Sequence, residues 1–352
     1  MALPALHTFE DCADWSKTVQ PYFSHLYELP NKLVDVLQGR QGIVDVYTQT
    51  NPLISGFAIS VFFGAIFLVV AEFNKNYSQV DRCWSLLPTF YIAHFDLWAR
   101  LTGVPSARID ALLAFSAVWS ARLTYNYWRK GGYTVGSEDY RWDIIRDTIP
   151  VWAFKILNVT FISFQQSIIL YALAAPVYPI LLSIQFRPEL DATDMAFVAF
   201  ELALITTEWF ADQQQWDFQN AKHDYRKTAK LPQGYHADDL NRGFITSGLW
   251  AYSRHPNFAM EQAIWISLYA LSAYITNTFS YWAAAGAVSL ISIFFGSTIL
   301  TEWITAKKYP EYTEYQRQVG KFIPRGANGY QPPVIPVTPV ARAEKKKPIK
   351  KK

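Results

Sequence analysis

Seven stretches of the chain are apolar for about the 20 residues that a helix needs to cross a bilayer. They are 53–71, 83–101, 109–128, 151–173, 195–211, 258–275 and 281–303. The apolar run 176–186 is too short to cross and carries two prolines, so it reads as a re-entrant or interfacial loop. Residues 31–40 set Leu33, Val34, Val36 and Leu37 to one side and read as a short amphipathic helix lying in the interface. The pattern predicts an all-α, polytopic membrane bundle of seven transmembrane helices. It divides the chain into a polar N-terminal segment (1–50), the bundle (51–326) and a Pro- and Lys-rich disordered tail (327–352).

Composition supports a membrane solvent. Of 352 residues, 51% are hydrophobic and 17% charged, and 13 Trp, 21 Tyr and 24 Phe supply the aromatics favoured at membrane interfaces. Mean hydropathy is only +0.03, because polar connections dilute the apolar runs. Two cysteines, Cys12 and Cys83, give neither a disulfide framework nor a metal site, and the six histidines show no ligand spacing, so no metal is expected. The first 50 residues lack the basic start and short apolar core of a cleavable signal.

Charge is unevenly spread. From Lys307 onward the net charge is +9, while the remainder carries −6. Positive segments stay on the cytosolic side and touch anionic headgroups, which makes membrane lipids the expected partner. No nucleic-acid motif accompanies the basic residues. With seven crossings and a cytosolic C-terminus, the N-terminus is lumenal, and the lysine-rich tail loosely suggests the endoplasmic reticulum. Segments 72–82, 129–150 and 212–252 then share the cytosolic face with the C-terminal part.

Ionisable residues inside spans are costly and usually face the bundle interior. Glu201, Glu208 and Asp212 fall on one stripe of the fifth span, continued by Gln215 and Gln219. The stripe reads as a polar cavity wall, or as interhelical glue pairing with Lys155 or Arg122. Trp119, Arg122, Asn126 and Arg129 share a face of the third span, and Asn257 and Glu261 share one of the sixth. Arg129, at its helix end, reads equally as a snorkelling anchor. Before the sixth span, Ser253, Arg254, His255 and Asn257 surround Pro256. A helix beginning at that proline would aim free N–H groups outward, as a phosphate site does. Headgroup anchoring is the plainer reading of Arg254 and His255. The mouths of spans three, five and six are expected to converge into one cationic pocket.

Taken in order, several pieces are similar to the membrane steroid 5α-reductase superfamily, and more closely to its broad branch of bacterial and fungal proteins. They are Val80-Asp81-Arg82-Cys83-Trp84-Ser85-Leu86-Leu87-Pro88, Trp119 to Asn126, Arg129 to Tyr133, Glu138 to Trp142, Ala211 to Trp216, Ser253 to Asn257, Lys308 to Tyr312 and Phe322-Ile323-Pro324. The resemblance implies a seven-helix bundle that binds NADPH from the cytosol and reduces a conjugated carbon–carbon double bond in a hydrophobic, lipid-like substrate. It implies cofactor roles for Arg122, Asn126, Asp212, Arg254, His255, Asn257 and Glu261, with Tyr309 and Tyr312 as further candidates. No Gly-x-Gly-x-x-Gly follows a strand, so a soluble dinucleotide fold is not expected.

Two positions depart from the steroid-reducing pattern. Leu86 stands where those proteins place a Glu before Leu-Pro, and Trp119 stands where they place a Tyr. The catalytic proton donor is therefore open, with Glu208, Tyr91 and Tyr125 as candidates. Two other functions stay in view. Membrane methyltransferases that use S-adenosylmethionine share the Arg-His-Pro-Asn signature, and a non-catalytic lipid-binding protein is consistent with the two departures.

Overall fold

The computed structural model describes residues 2–332, and all regular secondary structure among them is helical. The helices used below are α1 (Phe23–Leu37), α2 (Pro52–Asn74), α3 (Leu87–Thr102), α4 (Ala107–Arg129), α5 (Val151–Ser183), α6 (Ala192–Thr228), α7 (Pro256–Ile275), α8 (Ala285–Lys308) and α9 (Tyr312–Gln318). The lysine-rich end of the tail, 333–352, lies outside the described residues.

Local sequence accounts for the helix ends. Asn51 caps α2 by accepting from the Leu53 amide at 2.9 Å, with Pro52 at the first helical position. Asp191 and Asp194 form a reciprocal capping box at the start of α6. Gly103 ends α3 with φ +74°, the left-handed conformation that glycine adopts without steric cost.

Three helices are long and apolar enough to cross a membrane: Pro52–Asn74, Val151–Ser183 and the helical run Trp282–Lys308 that contains α8. They differ in position. The most apolar window is 89% buried in α5 but only 39% and 28% buried in α2 and α8, so α5 is central and the other two are peripheral. The outward faces of the peripheral helices carry Phe62, Ile66, Val69 and Phe73, and Val288, Ile291, Phe295 and Ile299. Such an apolar exterior suits a lipid solvent. The remaining predicted crossings coincide with α3, α4, α6 and α7, which carry the ionisable side chains or are shorter.

Two expectations need correction. Segment 176–186 is not a loop: Val177–Ser183 is helical and wholly buried, continuing α5 after one turn at Ala175-Pro176. Pro176 precedes that last helical stretch, where its missing N–H is tolerated. The helix of the fifth apolar stretch does not give way to a loop after Ala211 either, because α6 runs on through polar residues to Thr228, 37 residues in all. Residues 31–37, by contrast, do lie in a helix, α1, which starts earlier at Phe23, ends before Gln38 and keeps Leu33, Val34 and Leu37 exposed.

The sheath around the site follows from contacts among the long helices. α6 packs along α7 and α4, and α5 fills the space between α2, α3 and α8. Close approach of α2 to α5 depends on Gly56, where a Cβ would stand 2.6 Å from the Tyr171 ring. Beyond the bundle, Tyr330 packs edge-on against Tyr315 and its amide donates to Ala251.

Candidate functional site

Three helices bring their ionisable faces to one buried point. Arg122 of α4 donates to Asp212 at 2.8 Å, pairs with Glu208 at 3.0 Å and reaches Glu261 at 3.3 Å. The last two bonds share a single guanidinium nitrogen, Nη2, so Glu208 and Glu261 meet across it. The amides of Asn126 and Asn257 both donate to Asp212, at 2.9 and 3.0 Å. Two indoles close the far side: Trp119 and Trp265 donate to the two oxygens of Glu261 at 2.8 and 3.0 Å. Their rings meet edge to face.

This knot contains Arg122, Asn126, Asp212, Asn257 and Glu261 of the expected set. Its charge differs from the expected cationic pocket, because one guanidinium faces three carboxylates. Four buried polar atoms around it have no partner: Arg122 Nε, Glu208 Oε2, Gln215 Oε1 and Asn257 Oδ1. Buried polar atoms normally find partners, so these four leave hydrogen-bonding capacity unused on and beside the knot. Arg129, at the end of the same face of α4, bonds Asn126 and Gln213 and lies over the Trp216 ring at 4.9 Å. Higher on α6, Glu201 accepts from Ser267 of α7.

Arg254 and His255 form a second, separate cluster. Arg254 makes a two-pronged pair with Glu302 of α8 at 2.7 and 3.1 Å, and donates to the carbonyls of Val319 and Gln316. His255 Nε2 and the Gln316 amide each bond Glu302 at 2.9 Å. The backbone N–H groups of Arg254 and His255 donate to Gly320 and Lys321. Pro256 does begin α7, as its sequence implies. The strap 319–321 takes the two N–H groups just before that helix, those of Arg254 and His255.

The last two expected residues sit elsewhere. Tyr312 is buried in an aromatic cluster with Phe244, Tyr315 and Tyr330. Tyr309 stands beside Lys222 and Lys308. Sequence reasoning missed Trp265, Gln213 and Glu302. A carboxylate two turns from the end of an otherwise apolar helix was the available signal for Glu302.

Other quoted motifs serve folding. Asp81 accepts from Trp142 at 3.0 Å, Arg82 donates to the Ser137 carbonyl at 2.5 Å, and Glu138 accepts from the Tyr77 amide at 2.6 Å. Burial raises the Asp81 carboxyl above the usual range, with the Trp142 bond opposing. Leu86 lines an open groove of about 530 Å³ with Thr89, Ser120, Thr124, Tyr125 and Trp128. At 100° per residue, that face of α4 lies roughly opposite the one bearing Arg122. Tyr91 is buried with its hydroxyl unpartnered. Among the described residues, no group of three or more His, Cys, Asp or Glu is placed to hold a metal ion.

Uncharacterized protein C594.04c of Schizosaccharomyces pombe is 38% identical over 325 residues, covering 92% of this chain and 93% of that protein. No solved structure matches the chain. Residues 67–319 match the family described as "Protein of unknown function (DUF1295)". The match takes in every residue of the Arg122 knot and the side chains of Arg254, His255, Glu302 and Gln316, and the chain belongs to the DUF1295 family.

Proposed function

We propose that the chain is a membrane-embedded, NADPH-dependent reductase of a conjugated double bond in a hydrophobic substrate, related to the steroid 5α-reductase superfamily. Seven crossings, α2 to α8, form its bundle, with the N-terminus lumenal and the tail cytosolic. The observation that carries the reading is the convergence of Arg122, Asn126, Asp212, Asn257 and Glu261 from three helices into one buried knot with unpartnered atoms.

The donor set fits one end of the cofactor. One free donor and three free acceptors suit a carboxamide and ribose hydroxyls. They do not suit phosphates, since the knot is acidic and Arg254 is fully engaged. When bound, NADPH supplies a hydride. The residues of the knot orient that end and exclude water, and Glu208 offers a carboxyl oxygen free to carry a proton toward substrate.

Calorimetric titration of the purified protein in lipid nanodiscs tests this. Binding of NADPH that is weakened in Asp212→Asn is expected. Heat from neither NADPH nor NADH would remove the reading. The three carboxylates around one guanidinium also favour a second reading, a membrane methyltransferase, because the sulfonium of S-adenosylmethionine is a cation. Retention of radiolabelled S-adenosylmethionine without nucleotide binding would select it.

A further inference from the structure

Arg122 and Arg254 each have carboxylate partners, whereas a group of cations without one stands farther along α6 among the described residues. Lys222 and Arg226 stand one turn apart on α6 and face Tyr309, the residue that follows α8. The Lys222 ammonium lies 6.0 Å from the Tyr309 ring centre and that of Lys308 lies 5.5 Å from it. Arg226 acts on the Tyr309 phenol from the next turn of α6.

The arrangement is held in place. Lys222 donates to the Gly243 carbonyl at 2.9 Å. Gly243 has φ +85°, and a Cβ there would stand 2.2 Å from the Tyr309 ring, so only glycine lets the ring close on this loop. Neighbouring Arg242 is neutralised by Asp239 and Glu311. Among the described residues, no carboxylate pairs with Lys222, Arg226 or Lys308, and Arg226, Lys308 and the Tyr309 phenol all act on the Lys222 ammonium. Burial raises the Tyr309 phenol, yet Arg226, Lys222 and Lys308 together bring it below the usual tyrosine range. Three like charges held together repel one another, and an anion between them removes that cost.

We propose that Lys222, Arg226, Lys308 and the Tyr309 hydroxyl form a phosphate-binding site. The phosphate belongs either to the nucleotide, in which case the inference rests on the reductase reading, or to a phospholipid headgroup, in which case it does not.

The test uses the full chain in phosphatidylcholine nanodiscs and the variant Lys222→Gln with Arg226→Gln. Inorganic pyrophosphate binding is expected to weaken about tenfold or more, the scale of a lost charged hydrogen bond. The charge-preserving variant Lys222→Arg with Arg226→Lys is expected to retain it. Should the double glutamine variant elute abnormally on size exclusion, Lys308→Gln, on an exposed helix end, carries the same measurement. A parallel loss of NADPH affinity assigns the phosphate to the nucleotide. An unchanged NADPH affinity, with lost retention on phosphatidylcholine vesicles containing phosphatidate, assigns it to lipid. A protein that binds neither nucleotide but shows the pyrophosphate loss would refute the reductase and leave this site standing. Pyrophosphate, NADPH and phosphatidate binding all unchanged in the glutamine variants would overturn it.

Discussion

Arg122 and Arg254 are both buried, both charged and each within a few residues of a helix mouth, yet their surroundings differ in kind. Arg254 has one carboxylate, two carbonyls and a neighbouring histidine on the same Glu302, and its guanidinium is fully matched. Arg122 has three carboxylates and a free Nε. A matched buried ion pair is what a fold uses to fasten two segments, here the start of α7 to the strap after α9. An over-supplied guanidinium ringed by unpartnered atoms keeps a local imbalance, which is how sites rather than fasteners are built.

The comparison breaks most visibly at Arg254. Replacing it with Leu leaves Glu302 buried without its cation, and the expected loss is about 3–5 kcal/mol. Thermal unfolding in detergent should show it, and a melting temperature equal to that of the wild type would put Arg254 outside the fold's framework. Glu208→Gln is expected to do the opposite. It removes one of three like charges, so stability should hold, while turnover of a lipid enone falls by about 10²-fold with NADPH affinity retained. Loss of stability there would place Glu208 among the fasteners.

Smaller effects sharpen the contrast. Asp212→Asn keeps the side-chain shape, removes a charge and turns Oδ1 into a donor that Asn257 can meet by turning its unpartnered Oδ1 inward, and a roughly tenfold weaker nucleotide titration is expected with normal folding. Trp119→Phe deletes one donor to Glu261 and should cost about 1–2 kcal/mol by chemical denaturation, mostly from the unpaired oxygen. Gly243→Ala, strained by its positive φ and the Tyr309 ring, should weaken pyrophosphate binding more than it lowers the melting temperature.

The long apolar stretches were legible because lipid-facing helices need little else. The site was legible where one helix holds several members: Glu208 with Asp212, Arg122 with Asn126, Asn257 with Glu261 recur at helical spacing. What escaped was pairing between distant segments. Nothing periodic links Arg254 to Glu302 or Ser253 to Gly320, so a mouth that looks open in sequence is closed by the chain's own strap. The sign of the knot escaped too, because spacing along single helices does not show that carboxylates of both α6 and α7 converge on the one guanidinium of α4. Pro176 misled for a related reason: two prolines in an apolar run suggest a break, whereas one of them opens a buried helical stretch.

The unbroken run of α6 makes it a ruler. Ten residues separate Asp212 from Lys222, which at 1.5 Å per residue fixes about 15 Å between the acidic knot and the phosphate-binding cations. Removing one residue between them would swing one end about 100° around the axis relative to the other, whereas inserting seven would nearly restore the bearing while adding about 10 Å. A two-ended ligand would feel both changes, and two unrelated ligands would feel neither.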